Sequence, residues 1–208
     1  MATIISQYDA GMVIGYHVIL SAYGFWLPND PRGSWSTEVW ARHLRRFGRA
    51  TRVETRRSVA DHDHDRAQRL EAKQTLKYPA VHFSGMQTRA IGRGFAKAVG
   101  DLRLKVYACA IMPDHVHLVT GRHARDVEYV AGFLKRVGTR RLNAEGRHPL
   151  QKHRRPDGRI PSPWGDDGWF VYLNTPDEML QRIRYVEMNP VKEGLPLQRW
   201  PFVVPYDG

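Results

Sequence analysis

Leu104-Lys105-Val106-Tyr107-Ala108-Cys109-Ala110-Ile111-Met112-Pro113-Asp114-His115-Val116-His117-Leu118-Val119-Thr120 holds two β-rich runs that meet at a proline corner. Leu104 to Ala110 predicts a strand, Met112-Pro113-Asp114 the corner, and His115 to Thr120 the antiparallel partner. Successive side chains of a strand point to opposite faces, so His115 and His117 share one face while Val116 and Leu118 face the other way. The hairpin therefore sets up a sheet and puts two imidazoles at one spot on it.

Outward from this hairpin, Met12 to Leu27 mixes Val13, Ile14, Val18, Ile19, Leu20, Tyr23 and Trp26, a core strand that ends at Pro28-Asn29-Asp30-Pro31-Arg32-Gly33. Gln87 to Asp101 carries Ile91, Phe95 and Val99 at helical spacing, although Gly92 and Gly94 argue against a helix. A second helix is expected from Ala124 to Asn143, with Val127, Val130, Phe133, Leu134 and Val137 toward the core and Arg125, Lys135, Arg136, Arg140 and Arg141 mostly outside. After a Pro/Gly-rich loop from Gly158 to Gly168, Trp169 to Leu173 is a short strand. Thr175-Pro176-Asp177-Glu178 then combines an N-cap threonine, a proline in the first turn and a capping-box glutamate. That helix should stop near Met188, because Pro190 disfavours helical geometry at Asn189. Strand, helix, strand, strand, helix, strand, helix predicts an α+β fold, a ferredoxin-like split βαβ with an antiparallel sheet and helices packed on one face.

The 208 residues suit a single domain, with an Arg-rich insertion at about 35–78 and a basic loop at about 144–168. Lys and Arg number 32 against 21 Asp and Glu, and much of the net +11 falls between Arg42 and Arg57 and between Arg122 and Arg159. Two basic segments on a near-neutral body point to a polyanion more than to a merely solvated basic face. No apolar run is long enough to span a bilayer, so no membrane partner is expected. Cys109, the single cysteine, fits a small buried hydrophobe and a reducing compartment. A cytoplasmic, nucleoid-associated location follows for a DNA partner. Walker loops, paired Cys-x-x-Cys motifs and Gly-x-Ser-x-Gly elbows are all missing from the sequence.

Two imidazoles at i and i+2 on a rigid strand can hold a divalent ion with a third ligand from elsewhere, or can be satisfied histidines on a half-exposed strand. At ~100° per residue, Met179, Ile183 and Val186 line one stripe of the last helix, and Tyr185 sits roughly 130° from it with Asn189 one turn on. The stripe does not need Tyr185. Beside Arg182, this phenol and amide form a candidate nucleophile and a candidate ligand, or else a tyrosine packed on a loop.

Met112-Pro113-Asp114-His115-Val116-His117-Leu118-Val119 together with Tyr185-Val186-Glu187-Met188-Asn189-Pro190-Val191-Lys192 resembles the single-tyrosine HUH transposases, the branch similar to REP-associated tyrosine transposases. The resemblance implies that His115 and His117 bind Mg²⁺ or Mn²⁺, that Tyr185 is the nucleophile and that Asn189 completes the metal site. Glu187 departs from the histidine or tyrosine often found two residues after the nucleophile, and is a second candidate for the third ligand. Single-stranded or hairpin DNA is the implied partner, with Arg125, Lys135, Arg136, Arg140, Arg141 and Arg182 on its phosphates and Trp35, Trp40, Trp164 or Trp169 available for stacking on bases. Relatives include both monomers and homodimers. The implied activity is cleavage and rejoining of DNA through a 5′-phosphotyrosine, and the alternatives are a domesticated DNA-binding protein without activity or a phosphodiesterase in which water attacks. Asp61-His62-Asp63-His64-Asp65 is a second His-x-His, but its polar surroundings fit a solvated acidic loop.

Overall fold

Four segments, three with β-branched residues and the last aromatic-rich, pair into one antiparallel sheet in the computed structural model, which describes residues 12–25 and 71–208. Strand β1 is Gly15–Ala22, β2 is Val106–Ile111, β3 is His115–Gly121 and β4 is Trp164–Leu173. Helix α1 spans Gly85–Leu102, α2 Val127–Ala144 and α3 Pro176–Lys192. Most of the Arg-rich insertion, the end of the expected first strand, the turn at 28–33, Trp35, Trp40 and the 61–65 histidines lie outside the described residues. The strand order β2-β3-β1-β4 and the chain order β1-α1-β2-β3-α2-β4-α3 give the expected ferredoxin-like α+β topology.

Side-chain parity decides the two faces of the sheet. Val18, Leu20, Ala22, Val116 and Leu118 point toward α1 and α2, where Ile91, Phe95, Leu134 and Trp164 complete the larger core. The opposite parity brings Ala108, Ala110 and Val119 against Met179, Ile183 and Val186 of α3. Two helices thus cover one face as expected, and the third covers the other. An apolar stripe shows that a helix packs on something without showing which face, and here the placement of α3 puts it over the histidine pair.

Gly92 and Gly94 serve packing in α1 rather than weakening it. A Cβ on Gly94 would lie 2.8 Å from the Gly138 Cα of α2, and one on Gly92 would run into the Trp200 ring. The helix starts at Ser84, whose hydroxyl accepts from the Gln87 amide while the Gln87 side chain accepts from the Ser84 amide. Gly94→Ala is expected to destabilise the fold by about 1–3 kcal/mol through overpacking at the α1–α2 crossing. In urea titration this would appear as a lower midpoint with an unchanged slope.

Three boundaries differ from expectation. Strand β1 is shorter than Met12 to Leu27. Strand β4 begins at Trp164 rather than Trp169, because the chain after the Pro/Gly-rich loop pairs early, Trp164 opposite Ala22, with a register shift between Leu20 and Ala22. Helix α3 runs through Pro190 to Lys192 instead of stopping near Met188. Proline removes its own donor, but a glycine-terminated end compensates: Gly194 adopts φ 71°, its amide donates to the Val191 carbonyl, and the Leu195 amide donates to that of Pro190. This extra turn keeps Asn189 and Lys192 helical.

Beyond α3 the chain returns to the exposed edge of β2. The Gln198 side chain accepts from the Ile111 amide at 2.8 Å and donates to the Ile111 carbonyl at 2.9 Å, and Val203 bridges Val106. These contacts occupy an edge that would otherwise invite strand addition. Cys109 is buried in the core, and burial pushes its thiol pKa up.

Candidate active site

His115 and His117 project from β3 on the α3 side of the sheet, as their parity predicts. Their ε nitrogens converge to 2.9 Å. Each ring is held from its other nitrogen. Asp114 Oδ1 lies 2.7 Å from His115 Nδ1, and His17 Nε2 lies 3.0 Å from His117 Nδ1. Phe25 stacks on the His115 ring with centroids 4.9 Å apart, fixing its plane. His17 enters from β1, where the register places Ile19 opposite His117. It was not among the sequence candidates, although a histidine inside an apolar strand, opposite in parity to Val18 and Leu20, was a visible signal.

Burial governs the electrostatics of these rings. His17 is pushed down to about 3, first by desolvation and then by the positive charge of Arg182 and by His115. His117 is held well below the ordinary histidine value by the same burial, with His115, His17 and Arg182 adding to it. Both rings are therefore neutral at physiological pH. In the unfolded chain they take up protons near 6.5, so the folded state gains stability above that pH and loses it as acid forces protons onto buried rings. The melting temperature is expected to fall between pH 6.5 and pH 4, with a shallower fall in His17→Phe, as scanning calorimetry across that range would show.

Helix α3 carries Tyr185 over this cluster. Its ring centroid is 5.7 Å from that of His117 and 5.9 Å from that of His17, edge-on to both, and the residue is 37% exposed. The Tyr185 ring is thus anchored on the histidines while its residue stays open to solvent. Arg182 lies 6.0 Å from the Tyr185 ring centroid and Lys192 Nζ lies 5.3 Å from it, so two cations flank the phenol. Lys192 was missed from sequence. It lies seven residues, close to two full turns, beyond Tyr185 and shares its side of the helix only because α3 continues past Pro190.

The other candidates separate clearly. Asn189 is 7% exposed, one turn beyond Tyr185 on the same side. Glu187 is exposed and lies about 200° around the helix from Tyr185, on the side away from that phenol. Arg136, Arg140 and Arg141 belong to α2, across the sheet from Tyr185, and Arg125 lies in the bend just before that helix; of the basic candidates only Arg182 stands beside the phenol. Lys135 donates to the Gly165 and Asp166 carbonyls and anchors the start of β4, and Arg141 pairs with Glu145 at 2.6 Å. Trp164 is 2% exposed, packed against Phe83 and Phe95 with its indole N–H directed at α2, which takes it out of any base-stacking role.

The donor set suits a divalent ion. Two ligands at right angles and ~2.1 Å from a common ion stand about 3 Å apart, the spacing the ε nitrogens already have. Neutral imidazole is the ligating form, and the Asp114 and His17 contacts are of the outer-shell kind that orients ligating rings. Among the described residues no group of three His, Cys, Asp or Glu side chains surrounds one point. The donors on hand are the two ε nitrogens, and Asn189 is buried one helical turn beyond Tyr185.

Fold and site together define an antiparallel α+β domain in which a strand-borne histidine pair faces a helix-borne tyrosine. No family model and no curated protein matches the sequence. Solved structures similar to this chain include two transposases. One is a REP-associated tyrosine transposase bound to a REP hairpin, 14% identical over 97% of this chain and 81% of that one, with a TM-score of 0.46. The other is a candidate transposase from Deinococcus radiodurans R1, 16% identical over 88% of this chain and 93% of that one, with a TM-score of 0.36.

Proposed function

We propose that this protein cuts and rejoins single-stranded DNA through a covalent bond between Tyr185 and a 5′ phosphate, with Mg²⁺ or Mn²⁺ held by His115 and His117. The observation that carries this reading is the approach of the Tyr185 ring to within 5.7 Å of His117, whose ε nitrogen converges with that of His115. A bound divalent ion would screen the phosphodiester's charge and fix the phosphorus for in-line attack.

The chain's own residues supply the remainder. Tyr185 attacks phosphorus as the phenolate, the bond to the 3′ oxygen breaks, and the departing oxygen takes up a proton to become a free 3′-OH. Arg182 and Lys192 place positive charge beside the phenol, where a phosphate would sit. Because one phosphoester is exchanged for another, a second 3′-OH can reverse the step and join strands without ATP. The open side of Tyr185 admits an unpaired strand, and hairpin-flanked single-stranded DNA is the expected substrate. Asn189 is the protein ligand proposed to complete the ion's site.

The test is incubation of end-labelled, hairpin-flanked single strands with the protein and Mn²⁺, followed by denaturing electrophoresis and peptide mapping. A covalent adduct mapped to Tyr185 supports the reading. Tight binding without adduct or cleavage supports a DNA-binding protein that lacks the chemistry. Cleavage with no adduct points to water as the nucleophile.

A further inference from the structure

Asp114, His115, His117 and His17 form one continuous line of contacts, and its inner end is unfinished. The separations are 2.7, 2.9 and 3.0 Å in turn, while Nδ1 of His17, buried beneath Tyr185, has no hydrogen-bond partner. Rings 17 and 117 stack with centroids 5.1 Å apart at 26°, so neither can turn away without losing its packing. Such an arrangement restricts where the protons reside.

Each neutral imidazole carries one proton. The Asp114 carboxylate accepts from His115 Nδ1–H, which leaves a lone pair on His115 Nε2. Facing that lone pair, His117 donates from Nε2–H and accepts at Nδ1 from His17 Nε2–H. The leftover atom is then a bare Nδ1 on His17, an unpaired buried acceptor, which costs less than an unpaired buried donor. In this state only one of the two converging ε nitrogens offers a lone pair.

Ligation by both rings requires the His117 proton on Nδ1 instead. It can be there only if His17 Nε2 accepts it, and then the proton of His17 resides on its own Nδ1. No proton enters or leaves, and the charge is unchanged. The two rings exchange tautomers together.

Resting on the ion-dependent reading above, we propose that His17 is a positioning residue that sets the tautomer of His117 and through it the affinity of the histidine pair for a divalent ion. His17 touches neither ion nor DNA in this role. An outer-shell partner of this kind typically accounts for 10–100-fold in ion affinity.

The test compares wild type, His17→Phe and His17→Gln by electron paramagnetic resonance of free Mn²⁺ at pH 7.5 without DNA. Phenylalanine keeps the stacked ring and removes the acceptor, and its Kd for Mn²⁺ is expected to rise about 10–100-fold. Glutamine restores an acceptor for His117 Nδ1–H, and its Kd is expected to return to within about threefold of wild type on the same ground. Long-range ¹⁵N–¹H NMR of wild type should show His117 protonated on Nε2 without ion and on Nδ1 after Mg²⁺ is added, a readout that does not depend on either variant folding. Wild-type Mn²⁺ affinity in His17→Phe, or a His117 tautomer that ignores Mg²⁺, overturns the role of His17 while leaving the adduct chemistry of Tyr185 standing. Failure of wild type to bind Mn²⁺ overturns both.

Discussion

Tyr185→Phe is expected to abolish the protein–DNA adduct and lower strand cleavage by at least about 10⁴-fold, because a covalent route loses its first step when the nucleophile's oxygen is removed. The change is one atom on a half-open residue. The phenyl ring still meets His17 and His117 edge-on, and Arg182 and Lys192 still flank it, so DNA binding and the melting temperature should stay within experimental error of wild type. That separation gives the experiment its force. Nearly unchanged cleavage in Tyr185→Phe would identify water as the nucleophile, and unchanged cleavage with an adduct elsewhere would move the chemistry to another tyrosine. Tyr172, the most exposed tyrosine among the described residues, is on β4 and packs against Tyr16 at 5.5 Å.

The sequence carried the local halves of this site and not their assembly. Strand alternation was enough to put His115 and His117 together, since parity along one strand does not depend on its neighbours. Thr175 and Pro176 marked the start of α3 because capping chemistry is local, and the Thr175 hydroxyl accepts from the Glu178 amide as that motif predicts. His17 stood out in its apolar strand, but its place beside His117 was out of reach for the opposite reason. Its contact with His117 depends on the β1–β3 register, which pairs residues 94 to 106 positions apart in the chain, and no single strand encodes that. Lys192 was lost with the expected stop before Pro190, because the weight given to proline ignored the glycine four residues later that closes the helix. Glu187 was retained on chemical grounds, since carboxylates are good ligands, although the helix phase places it on the side away from Tyr185. The α2 cations show the same limit: their exposure was legible from the helix stripe, but the sheet between them and Tyr185 was not.

His117→Ala is expected to weaken Mn²⁺ binding by more than about 100-fold and to suppress adduct formation to a similar degree, since losing an outer-shell partner alone costs 10–100-fold and here a direct ligand is removed. A second effect follows from burial. His117 is 5% exposed and fills the space between His115, His17 and Tyr185, so alanine leaves a cavity and strands Nε2 of His17 without its partner. Lost stability could then masquerade as lost chemistry. His115→Ala separates the two, because that ring is nearer the surface, leaning on Phe25 and Asp114, and its removal should cost ion affinity with a smaller drop in melting temperature. His62→Ala with His64→Ala provides the opposing control, expected to leave both ion binding and adduct formation unchanged. Were that pair to abolish cleavage while His115→Ala left it intact, the metal site would have to be reassigned to the acidic segment. If both members of the β3 pair lose Mn²⁺ binding in calorimetric titration while still binding DNA, then the ion, the two ε nitrogens and the phenol act as one unit.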